Sequence, residues 1–427
     1  MNPFTQWVST DWWIVATAAT CAVACALVGC FLLLRKLSMM GDAVSHAVLP
    51  GLVVGFLISG SRDPLPMLVG AMVVGLLTAY LTEVVRSSGK VDEGASMGVV
   101  FTTLFALGLV LVVRFSDRID LDPGCVLYGM LEFVPLDTRT VLGVEVPEAL
   151  LVLGGVLAVN VVVIAVLFKE LKLTSFDPAL ATALGVPARV MHYLLMTLVA
   201  LTTVASFQAV GSILVVAMLI VPAATAALLT QRLVPMLFTA VGVAVLSAVV
   251  GHWGAIAVPR WFGMDSTMTS GMMAVAAGGL LAVAVVFSPT NGVAVRLGRR
   301  WLLRLDEAME DVLATLYRDE EAPNREVRRD PLAAKPMLRW VARKLLHRSG
   351  ELAGGGLTET GREQARKLLR SHRLWETFLA DNANIRVDHV HGSAERLEHI
   401  TDAPLRSALA KSAAKTDPQG RLIPPEK

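Results

Sequence analysis

The sequence predicts an all-α, polytopic membrane protein with eight or nine transmembrane helices plus a small soluble, mainly helical C-terminal domain. Three observations carry this expectation. The 427 residues are 54% hydrophobic and only 17% charged, with a mean hydropathy of +0.60; a soluble domain usually carries about 25% charged residues. Charge is segregated: 32 of the first 300 residues are Asp, Glu, Lys or Arg, against 42 of the last 127. Nine apolar stretches before residue 295 approach the length that a membrane span needs, about 20 residues. The chain therefore divides into a membrane domain over 1–295 and a water-soluble domain over 296–427. The net charge of +2 selects no class of partner.

In chain order the expected spans are 12–34, 42–59, 65–85, 94–115, 148–168, 189–206, 209–229, 234–258 and 268–288. Met1–Trp13 has no basic residue and lacks the charged start of a cleaved signal peptide, so the first stretch reads as a retained span. Cys21, Cys25 and Cys30 within it, and Cys125 in a later loop, read as small packing residues. They form no disulfide framework and no Cys-rich zinc spacing. The second span is short and polar at its start. Spans six and seven are separated by a tight turn near Phe207-Gln208, with Gln208 satisfying backbone there. One re-entrant segment would lower the count to eight. Gly, Ala, Ser and Thr recur inside the spans, as close helix packing in lipid requires. With nine spans, eleven Lys/Arg fall on one side, among them Arg35, Lys36, Lys169, Lys172, Arg299 and Arg300, and five on the other. That bias makes the first side cytoplasmic, in a bacterial inner membrane, and puts the C-terminal domain there too. On the same side, Asp177-Pro178 opens a short helix that Gly185 can end.

Asp42 and His46 stand four apart at the start of the second span, on one helix face. Ionisable groups within a span are costly and mark function. A carboxylate with an imidazole suits manganese, iron or zinc better than magnesium or calcium; the plainer reading is a hydrogen-bonded pair at the membrane boundary. Glu83 and His192 fall near cytoplasmic ends of spans, where they reach water. His252, in Gly251-His252-Trp253, lies deeper and is open between the metal route and packing.

The string Leu34–Gly51, containing Met40-Gly41-Asp42-Ala43-Val44-Ser45-His46-Ala47-Val48-Leu49-Pro50-Gly51, resembles the signature of the zinc/manganese/iron ABC permease family, as does Val210–Ala226. Asp92–Gly98 and Leu127-Tyr128-Gly129 match weaker landmarks of that family. The resemblance covers about residues 10–295. It implies that Asp42 and His46 line the path of a divalent metal substrate (manganese, zinc or iron) in an importing permease embedded in lipid. It also implies a second permease, identical or paralogous, an ABC ATPase subunit and an extracytoplasmic metal-binding protein. Asp177, Pro178 and Gly185 would then belong to the ATPase-docking element. The chain itself has no Gly-x-x-x-x-Gly-Lys-Ser/Thr phosphate loop, since Val84 stands where the first glycine before Gly89-Lys90 should be. It is expected to be a transport subunit and not an enzyme.

The tail reads as an amphipathic helix over Trp301–Tyr317, a polar segment Arg318–Pro336, a helix over Met337–Arg348, a turn over 354–361, helices over Arg362–Ala380 and Ser393–Ile400, and a closing loop from Asp417. It holds five of the eight histidines. Glu395, Glu398 and His399 share a helix face, His372 and Glu376 form an i, i+4 pair, and His391 precedes the first set. These donors suit manganese, iron or zinc as a regulatory ligand; a solvated charged face is the alternative. Leu357–Gly361, Ser371–Glu376, Val390–His399 and Pro418–Pro424 are similar to the metal-binding and dimerisation region of the diphtheria-toxin-repressor-like, iron/manganese-dependent repressors. Carried over, Glu395, Glu398 and His399 belong to a primary metal site, and His372, Glu376 and His391 to an ancillary site or a shared cluster. Glu310-Asp311 aligns with the first-helix ligand region, but Ala314 stands where manganese repressors carry a carboxylate, and Gly392-Ser393 replaces a usually acidic pair. The stretch from Tyr317 to Leu357 is short for a full winged helix-turn-helix, so DNA is not expected as a partner. Two rivals remain: a membrane-anchored, metal-responsive DNA-binding regulator, which requires the tail to bind duplex DNA, and an ion-gradient-driven transporter, which requires no ATPase.

Overall fold

A computed structural model describes residues 7–60, 64–89, 92–115, 131–141, 143–289, 292–321, 335–383, 385–386, 389–412 and 415–425. The chain divides into two compact units, Met1–Val295 and Arg296–Lys427.

The first unit contains α1 (Ser9–Leu34), α2 (Ser38–Ala47), α3 (Leu49–Ser59), α4 (Pro64–Gly89) and α5 (Glu93–Arg114). A 3₁₀ turn, Leu131–Leu136, and an antiparallel hairpin, β1 (Thr138–Val141) with β2 (Val144–Pro147), lead to α6 (Glu148–Val166). Then follow α7 (Phe168–Phe176), α8 (Pro178–Ala183), α9 (Ala188–Val210), α10 (Ser212–Leu229), α11 (Leu233–Trp261) and α12 (Thr269–Phe287). Among the described residues, eight helices are long and apolar enough to cross a membrane: α1, α4, α5, α6, α9, α10, α11 and α12. Their outward faces carry residues such as Val110, Val162, Phe238 and Val275, all exposed; such side chains suit lipid, which leaves no backbone group to be satisfied by water.

α1 is the central helix and packs against α6, α9, α10 and α11. Its sequence explains the position. Ala18, Cys21, Ala22, Cys25, Ala26 and Cys30 are small and fully buried, so neighbouring helices approach closely. The three cysteines are free thiols in this core; Cys125 lies outside the described residues. At Gly29 an added Cβ would fall 1.8 Å from the Leu219 carbonyl oxygen, so α1 and α10 touch backbone to backbone.

The second expected span, 42–59, is not one helix but two, α2 and α3, interrupted at Val48. Pro50 is the reason: it has no N–H to donate to the carbonyl four residues earlier, that of His46. α3 packs on α4 through glycine: a Cβ on Gly51 would lie 2.3 Å from the Gly70 carbonyl oxygen, and one on Gly55 2.6 Å from that of Pro66. This register makes α3 and α4 antiparallel. At the far end of α4, Glu83 and Arg86 come within electrostatic reach of His192, as does Arg35 after α1. α2 and α3 therefore follow one another as two short helices packed beside α4.

A second difference concerns the turn between the sixth and seventh spans. α9 continues past Phe207 to Val210, and the break falls at Gly211, whose φ of 80° suits glycine. The side chain of Gln208 lies outside the described atoms.

The second unit holds most of α13 (Val293–Glu321), α14 (Pro336–Arg348), a hairpin of β3 (Leu352–Ala353) and β4 (Gly356–Leu357), α15 (Glu359–Asn382), α16 (Val390–Glu398) and α17 (Ala403–Ser412). Its core is Ala308, Val312, Leu313, Ala342, Leu346, Leu352, Leu357 and Ala365. Thr358 caps α15, its Oγ1 accepting from the Gly361 N–H at 3.2 Å. The hairpin and α17 have no counterpart in the expected elements, because β3 and β4 are two residues each and α17 has little periodicity.

Candidate metal centres

In the first unit, α2 carries Asp42 and His46 one helical turn apart. The depth of α2 follows from its neighbours. An added Cβ on Gly75, midway along α4, would meet Ala200, midway along α9, together with Val44 and Val48. One on Gly41 would meet Leu219, midway along α10. The His46 ring is half-buried; its centroid lies 5.5 Å from that of Phe105, edge-on, and 6.4 Å from that of Phe101, both midway along α5. Asp42 and His46 thus sit on a mid-bundle segment, next to the helix break that Pro50 imposes. The Asp42 side chain lies outside the described atoms.

The short helix α8 has the expected cap. Asp177 Oδ1 accepts from the N–H of Ala179 at 3.0 Å and of Leu180 at 2.9 Å, Pro178 occupies the first turn, and Gly185 has φ 85°. Phe176, Leu180 and Leu184 around it are exposed apolar side chains.

In the second unit, α15 supplies His372 and Glu376, α16 and its C-cap supply His391, Glu398 and His399, and α13 supplies Glu310 and Asp311. Two groups of three ligands form. In the first, His372 Nε2 lies 3.1 Å from Glu376 Oε1 and 2.8 Å from His391 Nδ1, and His391 Nδ1 lies 2.8 Å from Glu376 Oε1. Three donors so close converge on one point. One face of an octahedron with bonds of about 2.1 Å has edges of about 3.0 Å, so a transition-metal ion fits this set. The second group is Asp311, Glu398 and His399, with His399 Nε2 3.7 Å from Asp311 Oδ1 and 3.8 Å from Glu398 Oε1. Its wider spacing also admits an ion.

The groups share a link. His372 Nδ1 donates to Glu398 Oε2 at 2.5 Å, which leaves Nε2 directed at Glu376 and His391. His399 Nδ1 likewise donates to Glu310 Oε2 at 2.5 Å. Arg421 Nη2 donates to Glu376 Oε2 at 2.5 Å, and Arg421 Nε to Asp417 Oδ2 at 2.5 Å, so the closing loop fixes the Glu376 carboxylate.

Electrostatics agree with a cation site. Burial, opposed by His399 and reinforced by the charges of Glu398 and Glu395, pushes Asp311 up to about 6. Burial pushes His372 down, but its hydrogen bonds to Glu376 and Glu398 outweigh this and raise it above the ordinary imidazole value. His399 is raised as well: burial lowers it, while Glu310, Glu398 and Asp311 more than compensate. Glu376 is buried yet lies well below the usual carboxylate range, because His372, His391 and Arg421 hold its charged form. Four carboxylates, Glu310, Asp311, Glu376 and Glu398, stand with three imidazoles, His372, His391 and His399, a donor set that suits a cation.

Of the six tail residues singled out from sequence, five fall into the two groups. Glu395 does not join either among the described residues; it is half-buried on α16, and Asp311, from α13, completes the second group instead. Local spacing could not supply Asp311, which stands far away in the chain; only the resemblance pointed to it. Arg421 had no signal beyond the closing-loop match.

Residues 10–288, more than half of the chain, match the family model of the ABC 3 transport family. The chain belongs to the ABC 3 transport family. Residues 358–425 match a second model, the metal binding and dimerisation domain of the iron dependent repressor. The ABC 3 match thus ends with α12, and the repressor-like match begins at the cap of α15. The chain is similar to the manganese transport system membrane protein MntD of Bacillus subtilis, 47% identical over 67% of this chain and 94% of that one. It is similar to the manganese transport system membrane protein MntC of the same organism, at 30% over 96% of this chain and 92% of that one, an alignment that includes the tail. Among solved structures, PsaBC from Streptococcus pneumoniae in complex with Fab matches with a TM-score of 0.55 and 31% identity, covering 67% of this chain and 94% of that one. As an ABC 3 member the chain is a multi-pass membrane permease.

Proposed function

We propose that this chain is the permease subunit of an ATP-driven importer of a divalent transition metal, and that the metal passes Asp42 and His46. The observation that carries the proposal is a carboxylate and an imidazole one turn apart on a mid-bundle segment, beside a helix break. Discontinuous helices at membrane depth are where transporters build substrate sites, and ionisable groups there are costly enough to require a use. The donor pair suits manganese, iron or zinc, and the names of MntD and MntC support manganese among them.

ATP is hydrolysed on a separate ABC ATPase subunit. Its contact is the α7–α8 segment, with Asp177, Pro178 and Gly185 shaping a short capped helix and Phe176, Leu180 and Leu184 offering apolar contact. A second permease and an extracytoplasmic metal-binding protein complete the importer, which the PsaBC likeness supports. The Lys/Arg bias supports a cytoplasmic tail. There, His372, Glu376 and His391, and Asp311, Glu398 and His399, bind incoming metal and report its level to the permease. Glu395 lies beside the second group as a source of negative charge.

The test is ATP dependence. In proteoliposomes holding both permeases and the ATPase, with metal and the metal-binding protein on the opposite face, metal should accumulate only when hydrolysable ATP is supplied on the ATPase side. Equal accumulation with a non-hydrolysable analogue would make the carrier gradient-driven and refute the proposal.

A further inference from the structure

His252 lies in α11, is 3% exposed, and has no hydrogen-bond partner for its Nε2 among the described residues. Its Nδ1 lies 3.2 Å from Thr269 Oγ1 at the start of α12. Its Nε2 faces Asp11 Oδ1 at 3.6 Å. Asp11 uses its other oxygen, Oδ2, to accept from the Val8 N–H at 2.9 Å, so the carboxylate is held in place in the first turn of α1. On the other flank, exposed Glu132 accepts from the Thr269 N–H through Oε1 at 2.6 Å. The Trp7 ring stands edge-on to the imidazole, with centroids 5.3 Å apart. Four segments therefore converge at the end of the bundle opposite Arg35 and Lys36: the starts of α1 and α12, the last third of α11 and the 3₁₀ turn.

The separation of 3.6 Å is informative. It is too long for a hydrogen bond. It is close to the distance between two ligand atoms on one metal ion, about 3.4 Å for tetrahedral bonds of about 2.1 Å. In the tautomer whose Nδ1–H donates to Thr269 Oγ1, Nε2 presents a lone pair to the Asp11 carboxylate; in the other, the Thr269 hydroxyl donates to Nδ1. In the first tautomer a buried imidazole nitrogen and a half-buried carboxylate oxygen face each other as two acceptors, an arrangement that a cation between them satisfies.

We propose that Asp11 Oδ1 and His252 Nε2, with Glu132 at the exposed rim, form an entry site that takes a divalent transition-metal cation before it reaches Asp42 and His46. Thr269 is a positioning residue, since it fixes which imidazole nitrogen faces the metal. An imidazole and carboxylates favour manganese, iron or zinc over magnesium or calcium, so selection begins at the mouth. The inference rests on the transport reading above.

The test uses the complete importer in proteoliposomes (full chain, second permease, ATPase and metal-binding protein), with manganese(II) as substrate and cadmium(II) as competitor. His252→Cys replaces an imidazole by a thiolate, which prefers the softer cadmium. The half-inhibitory cadmium concentration should fall at least tenfold in that variant. The manganese KM should rise about tenfold in His252→Cys and Asp11→Asn, by more than any fall in maximal rate. Glu132→Gln, an exposed change that threatens folding least, should raise KM about threefold. Lower maximal rates with KM and the cadmium-to-manganese ratio unchanged would make the cluster a structural clamp and overturn the proposal, as would an unmoved KM in both carboxylate variants. Wild-type uptake that survives loss of Asp42 and His46 would instead strike the transport route itself. Intact wild-type transport with unaltered metal preference in His252→Cys would strike the entry site alone.

Discussion

Both oxygens of Glu376 are engaged, Oε1 by His372 and His391 and Oε2 by Arg421. Arg421 touches no metal yet orients a ligand, and losing such a partner typically costs about 10–100-fold in metal affinity. Arg421→Gln should lower manganese affinity at the tail by that amount, read by calorimetry on the full chain in detergent; unchanged affinity would detach the closing loop from the site. The pH response follows from the same contacts. His372 and His399 are raised above their usual value, so their contribution to stability is complete below about 6.5 and is lost as pH rises through the raised values. Asp311 is also raised, to about 6, so its contribution is complete below 3.8 and is lost by the time pH passes about 6. The metal-free tail should therefore loosen as pH rises from 5.5 to 8, read as falling hydrogen-exchange protection factors over residues 359–399 once the intrinsic pH dependence of exchange is divided out. Added manganese should reverse the trend, because protons compete with metal at these nitrogens and carboxylates. Protection factors independent of pH and metal would contradict the assignment. At this scale, His372 with Glu376 was legible from i, i+4 spacing on α15. Asp311 and Arg421 reach the cluster only through tertiary folding, and Glu395 shares a helix face with Glu398 without joining its group.

Glycine decides how α3 meets α4. A methyl group on Gly51 would lie 2.3 Å from a backbone oxygen, which cannot rotate away. Gly51→Ala should destabilise the bundle by about 1–3 kcal/mol, as overpacking does, whereas Gly154→Ala on α6, which meets nothing within 4 Å, should not destabilise it. Thermal unfolding of the two variants in detergent checks the contrast; equal midpoints would contradict the packing. Asp177→Ala removes a cap bonded to two N–H groups and should cost about 0.5–2 kcal/mol of local helix stability. Its ATP-driven uptake should fall while metal binding is kept, and uptake at the wild-type rate would dissociate α8 from coupling. The long helices were legible because a span must be continuously apolar. The split into α2 and α3 was harder to read, since hydropathy does not register a missing N–H, although Pro50 was in plain view. The hairpins were invisible because their strands are only two to four residues long.

For the whole molecule, charge is sparse over the first 300 residues and dense over the last 127, and the chain divides into the compact units Met1–Val295 and Arg296–Lys427. Both units hold carboxylates with imidazoles, Asp42 and His46 on α2 in the first and the two groups of three in the second. The central claim concerns the first set: a cation crosses because Asp42 and His46 take it at mid-bundle. The direct measurement is the initial rate of ATP-driven manganese uptake into proteoliposomes for the wild type and for the Asp42→Ala/His46→Ala double variant, matched for folded protein. The double variant should lose at least a hundredfold in rate with ATPase partner binding retained; uptake by it at the wild-type rate would contradict a route past Asp42 and His46.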